Sequence, residues 1–215
     1  MAEPLSKAPA PPASALRDAR ATPTAGREAQ LLAAEYPNLG YLVLRGRAGD
    51  DDFLRATRRV LGMALPLTPG TLAQTDAGVA LWQSPDEWWL ACPRHRRDET
   101  LAALTEALAG CFSQVVDNSG GLTALHIEGP PAIVLLRHLS PYDFDGLAPG
   151  RCVTTVVGKA VFTVARTGAT GATLLFRRSF AAYVWDLIDR AALPYGIRLV
   201  PPEAAPDGLL SPLLS

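Results

Sequence analysis

Apolar positions alternate with polar ones, or recur at helical spacing, from about residue 40 to residue 200, and the switches between these two periods mark out the elements. GYLVLRGR (40–47) has a strand pattern. DDDFLRATRRVLG (50–62) has a helical one, with acidic residues opening it and arginines near its end, the arrangement the helix dipole favours. Three strand patterns follow, TLAQT (71–75), GVALWQ (78–83) and EWWLAC (87–92), the last two joined as a hairpin by the turn SPDE (84–87). DETLAALTEALAG (98–110) predicts a second helix closing at Gly110, and CFSQVV (111–116) a further strand.

The order then recurs. LTALHIEG (122–129) predicts a strand, and PPAIVLLRHLS (130–140) a helix opened by proline. CVTTVV, KAVFTVAR and TLLFRR predict three strands, a helix begins at Ser179, and GIRLV (196–200) closes the series. Each half therefore reads β-α-β-β-β-α-β, with halves at about 38–117 and 118–200. PGTLAQT (69–75) and PGRCVTT (149–155) share Pro, Gly and the final Thr at the same place in each half. The expected fold class is α+β: a pseudo-duplicated body with helices on one face of each sheet.

The ends differ from this body. Residues 1–36 are rich in Pro and Ala and are expected to form a flexible arm, within which SALRDAR could form a short helix or dock on a partner as an extended peptide. Residues 201–215 form a similar tail whose paired leucines could dock.

In the last helix, Phe180, Val184, Leu187, Ile188 and Ala191 form the expected inward stripe, with Ser179 as N-cap. Asp186 and Arg190 are an i, i+4 pair for the solvent side. Tyr183 and Trp185 fall beside the stripe and are candidates for contact with a neighbouring chain. Alternation sends Trp88 and Trp89 to opposite faces of their strand, so at least one covers a second layer or a partner. Trp82 and Trp88 are candidate partner contacts on that basis. Arg178, which ends a strand beside the helix cap, can bind a carboxylate bidentately.

Chemistry is sparse. The net charge of −1, with both signs mixed along the chain, gives no field suited to nucleic acid or an anionic membrane. Cys92, Cys111 and Cys152 are too far apart for a disulfide framework or metal knuckle, and His95, His126 and His138 have no ligand spacing. No catalytic or metal-binding residue is assigned. GATGAT (168–173) lacks the features of a phosphate loop and reads as a hairpin turn. Asp117, beside Asn118 and Ser119, reads as a loop cap in preference to a catalytic carboxylate, and DFDG (143–146) as a turn. The opening residues lack a secretory pattern and no apolar run is long enough to span a bilayer, so the expected location is cytoplasmic.

Four stretches carry a family resemblance, in order along the chain: SPDEWWLACP, VVDNSGGLTALHIEGPPAIVLL, PGRCVTT and RRSFAAYVWDLIDRAALPYG. Together they resemble the gamma subunit family of heterotetrameric sarcosine oxidase, built on the aminomethyltransferase folate-binding fold. Tandem Trp88-Trp89 stands where the family has Trp-Leu, and Asn118 and Gly120 depart from its commoner V-D-V-S-D.

The resemblance implies an accessory subunit, with no catalytic site of its own, that docks on the alpha subunit of a complex also containing beta and delta subunits. Such a complex demethylates sarcosine to glycine, giving methylenetetrahydrofolate or formaldehyde, and hydrogen peroxide. FAD, FMN and NAD would then lie on the alpha and beta subunits, zinc on delta, and tetrahydrofolate away from this chain. A small subunit of an N-methylglutamate-oxidising complex is similar. A free-standing folate-binding module of the cluster-repair type is the alternative, although the Lys, Tyr and Gly-Gln expected around Cys152 are missing.

Overall fold

The computed structural model describes residues 14–22, 28–75, 77–205 and 207–214. Two antiparallel-rich sheets face one another, and two pairs of helices cover their outer faces.

The first half builds the five-stranded sheet. Its strands are β2 (Leu39–Arg45), β3 (Leu72–Thr75), β4 (Gly78–Ser84), β5 (Glu87–Pro93) and β6 (Gln114–Asp117), in the order β3-β4-β5-β2-β6. Helices α1 (Asp51–Leu61) and α2 (Arg97–Ala107) lie against its outer face. Asp50 caps α1 by accepting the backbone N–H groups of Asp52 and Phe53 at 3.0 and 3.1 Å, and Gly62 ends it at φ 69°. The chain leaves α2 through an irregular turn at 108–113. That turn makes β6 begin three residues later than its hydrophobic pattern suggests, and it makes α2 end before Gly110.

The second half repeats the plan with β7 (Leu122–Glu128), β8 (Cys152–Val157), β9 (Ala160–Arg166), β10 (Gly171–Arg177) and β11 (Ile197–Val200), under α3 (Ala132–Leu139) and α4 (Ala181–Ala192). The internal duplication is thus present in the topology. It has one asymmetry. A strand from the N-terminal region, β1 (Leu31–Glu35), is inserted between β7 and β11, giving the order β11-β1-β7-β10-β9-β8. β1 runs antiparallel to β7 and parallel to β11.

This corrects the expectation of a flexible arm to residue 36. Residues 31–35 are an interior strand, and Leu31, Ala33 and Ala34 are completely buried. Upstream, residues 14–22 are docked as well. Glu35 accepts hydrogen bonds from the backbone N–H groups of Ala15 (3.0 Å) and Leu16 (3.1 Å), and from the hydroxyls of Ser14 and Thr123. The SALRDAR stretch therefore forms a turn against its own chain. Residues 1–13 and 23–27 of the expected arm lie outside the described residues.

The echoed Pro-Gly turns meet where the halves join. Gly70 and Gly150 have the same left-handed backbone, at φ 70° and 78°. Thr71 and Arg151 form a bridge, the Cys152 N–H donates to the Gly70 carbonyl at 3.0 Å, and the Arg151 guanidinium donates to the Pro69 carbonyl at 2.9 Å. A Cβ on Gly70 would lie 2.8 Å from the Cys152 carbonyl oxygen, whereas one on Gly150 would meet nothing within 4 Å. Both Gly→Ala changes oppose positive φ, at roughly 1–2 kcal/mol each. Gly70→Ala adds a backbone clash and is expected to cost about 1 kcal/mol more than Gly150→Ala. Urea midpoints of the two variants check this, and equal losses would show that the Cys152 backbone yields to an added Cβ at Gly70 without cost.

The tail is structured too. Residues 202–204 and 211–214 form single 3-10 turns, and Leu209, Leu210 and Leu213 enter the core between the sheets. The paired leucines dock on the chain itself.

Candidate interaction surface

The five residues expected to meet a partner fall into two sets. Trp82 and Trp88 stand opposite each other on β4 and β5. Arg178, Tyr183 and Trp185 belong to the 3-10 turn at 178–180 and to α4, against the other sheet.

Two of the five are corrected by burial. Trp88 is 0% exposed, tilted against Phe53 at 5.7 Å between ring centroids, with its indole N–H donating to the Pro66 carbonyl at 2.7 Å. Trp185 is 3% exposed, and its indole N–H donates to the Arg20 carbonyl at 3.0 Å. The neighbour that covers Trp185 is this chain's own N-terminal segment, held further by Thr22, whose N–H donates to Asp189 at 2.8 Å.

The inward stripe of α4 is accordingly Ala181, Val184, Trp185, Ile188 and Ala192, while Phe180 stands outside it. The chain passes through a 3-10 turn before α4, so the helix starts later than Ser179 and no side chain caps it. Asp186 and Arg190 are on the exposed side, as expected.

Trp82, Arg178 and Tyr183 are half-buried. The Tyr183 hydroxyl accepts the Lys159 N–H at 3.1 Å and so braces the β8–β9 turn against α4. Trp89 is the aromatic that pattern reasoning left unassigned. It lies on the inner face of its sheet, half-buried, with its indole N–H donating to Glu87 at 3.1 Å.

Asp117 is a structural clamp. It accepts the Ser119 N–H at 2.9 Å and the guanidinium of buried Arg97 at 2.8 Å, while Ser119 receives the Tyr41 N–H at 3.0 Å. This ties the end of β6 to α2 and β2. The turn at 143–146 is local as well, with the Asp145 N–H donating to Asp143 at 3.1 Å. Cys92 and Cys152 are buried free thiols and Cys111 is half-buried. Burial pushes the Cys152 thiol up to about 11, and its Sγ donates to the Thr71 carbonyl at 3.4 Å, so it is a poor nucleophile near neutral pH. Among the described residues no group of three His, Cys, Asp or Glu side chains is placed to hold a metal ion, and no helix is long and apolar enough to cross a membrane.

His126, on β7, is a fully buried titratable group. Its Nδ1 lies 3.1 Å from the Thr173 hydroxyl, which also accepts the Leu209 N–H at 3.2 Å. Burial pulls the imidazole down to about 4. Glu128 lies 3.6 Å from Nε2, and burial and nearby Asp207 push its own carboxyl above the ordinary value. The unfolded chain therefore takes up this proton first as pH falls from about 6.5 to about 4.

Stability contributed at neutral pH should be lost across that window, by an amount on the order of 3 kcal/mol and partly offset by Glu128. Urea midpoints from pH 7.5 down to 4.5 should fall less steeply for His126→Gln than for the unchanged chain. Parallel curves would exclude His126 as the source.

The four sequence stretches that suggested a family thus correspond to a hairpin with a core tryptophan, a strand-end clamp, an inter-half turn and a buried helix. A family model described as "Sarcosine oxidase, gamma subunit family" matches residues 45–193, which contain all of these except the end of the last. The chain belongs to this family.

Relatives agree with the assignment. The sarcosine oxidase subunit gamma of Corynebacterium sp. strain U-96 is 33% identical over 159 residues, covering 70% of this chain and 73% of the relative. That of Corynebacterium sp. strain P-1 is 33% identical over 138 residues, covering 62% and 67%. Among solved structures, a chain of the heterotetrameric sarcosine oxidase of Corynebacterium sp. U-96 superposes with TM-score 0.71 at 27% identity, covering 77% of this chain and 85% of that one. The glycine cleavage system aminomethyltransferase T of Bartonella henselae matches with TM-score 0.60 at 15% identity, covering 80% of this chain and 48% of that one. This last likeness shows a shared fold. For this sarcosine oxidase gamma family member, the expected α+β, aminomethyltransferase-like architecture is therefore present.

Proposed function

We propose that this chain is an accessory subunit of a heterotetrameric sarcosine oxidase, docking on the alpha subunit in a complex with beta and delta subunits. The complex would oxidise sarcosine to glycine, hand the methyl carbon to tetrahydrofolate or release it as formaldehyde, and reduce oxygen to peroxide. FAD, FMN, NAD and zinc would be held by the other subunits, and the chain would work in the cytoplasm. Half-buried Trp82, Arg178 and Tyr183 remain candidates for the alpha-subunit contact.

The observation that carries this reading is the use made of the family's motif residues. Trp88, Asp117, Cys152 and Trp185 all make internal contacts that hold the two halves, the helices and the N-terminal segment together. A chain whose characteristic residues are spent on its own shape is suited to presenting a surface. The test is a pull-down of tagged chain from its source cells, with mass spectrometry and a sarcosine-dependent peroxide assay. Co-purifying flavoprotein subunits with peroxide formation are expected. A solitary, colourless and inactive chain would overturn the proposal.

A further inference from the structure

The internal duplication makes each inner sheet face a reference for the other. Strand register pairs Val116, Val43, Trp89 and Leu81 in one row across β6, β2, β5 and β4. In the other sheet the row Ala34, His126, Thr173 and Ala165 runs across β1, β7, β10 and β9, with the inserted β1 beside β7 as β6 is beside β2. In both rows the fourth residue lies in the core between the sheets.

The other three positions differ in their cover. Ala34, His126 and Thr173 are completely buried, because the C-terminal tail lies over them. The Leu209 N–H is bonded to Thr173, Gly208 sits against the His126 ring, and the Tyr36 hydroxyl meets Ser211 at 2.9 Å. On the sister row Val116 is 42% exposed and Val43 and Trp89 are half-buried. The next row on this face is polar, Gln114, Arg45 and Glu87, and past it Phe112 is 78% exposed, with the Arg47 guanidinium 5.1 Å from its ring centroid, on the rim of a cavity of about 430 Å³. The last turn of the tail, 211–214, reaches β5, so this open face continues directly from an interface the chain already fills.

We propose that the face formed by Val43, Trp89 and Val116, with exposed Phe112 past its polar edge, receives a leucine-bearing segment of a partner subunit, much as the chain's own GLLSPLL tail is seated on the sister face. Three arguments favour that occupant. The sister face shows that this architecture seats an apolar peptide with its backbone bonded to a strand side chain. The open row is apolar where the covered row carries His and Thr, so it suits side chains more than backbone donors. β6 is also an edge strand, which leaves room for an extended segment to approach.

The inference rests on the accessory-subunit reading, and one co-expression experiment separates the two. Tagged chain is co-expressed with its partner subunits as unchanged sequence, Val116→Glu, Phe112→Ser, and, as a control at an exposed position of α3, Val134→Glu. Association should weaken by about tenfold or more for Val116→Glu and Phe112→Ser, with urea midpoints unchanged and the control unaffected. Variants that co-purify as well as the unchanged chain would overturn this surface alone. Failure of the unchanged chain to co-purify would overturn both readings. Self-association of the isolated chain in sedimentation, lost on Val116→Glu, would replace the partner subunit with a second copy and so overturn the proposed occupant.

Discussion

Trp88→Ala is expected to cost about 3–5 kcal/mol of folding stability, the range for removing a buried aromatic side chain. The residue is fully enclosed between its sheet and α1, so alanine would leave a cavity against Phe53 and Leu44. It would also strip the Pro66 carbonyl of its donor at a buried site, which adds to the loss. Trp88→Phe keeps most of the volume and loses only the indole donor and one ring, so its cost should be well below that of alanine. Thermal or urea unfolding of the two variants decides the matter. A surface tryptophan kept for a partner would instead give an alanine variant within about 0.5 kcal/mol of the unchanged chain. In that case association, and not stability, would fall.

The contrast between Trp88 and Trp89 shows how far the sequence carries. Strand alternation alone placed the two rings on opposite faces, and they are. It could not say which face meets helices and which meets the second sheet, because that is set by α1 and α2 folding back from elsewhere in the chain. The same limit applies to β1. LLAAE has no alternation and is rich in residues of low strand propensity, so composition pointed to an unfolded arm. Its strand state comes from pairing with β7 and β11, about 90 and 165 residues further on, which burial on both faces makes favourable.

Trp185 was misplaced for a related reason. Counting the helix from Ser179 rotates the stripe towards Phe180, and the segment at 14–22 that covers Trp185 has no periodicity to announce itself. By contrast the duplication, the SPDE hairpin, the charged ends of α1 and the Asp117 loop are legible, because each depends on residues close together in the chain. Family membership followed from the same local stretches. Position on the surface did not, since exposure is a property of all the layers at once.

Leu210→Ala is expected to cost about 2–5 kcal/mol, as large as a substitution in the middle of either sheet. Leu210 is 0% exposed and lies with Leu209 and Leu213 among Tyr36, Leu39, Tyr41 and Leu175. A tail that was only loosely attached would give a loss near zero, so urea unfolding separates the two pictures. Ending the chain after Glu203 provides a second readout that does not depend on stability alone. With the tail removed, water reaches His126 and Thr173 loses the Leu209 donor, so the desolvation that holds the imidazole near 4 is relieved. The histidine should then titrate closer to 6.5 in an NMR pH series, and the steep acid loss between about pH 6.5 and 4 should flatten. If the shortened chain folds and His126 still titrates near 4, the tail is not what buries it. The covered face would then owe its dryness to the facing sheet, and the difference between the two inner faces would need another origin.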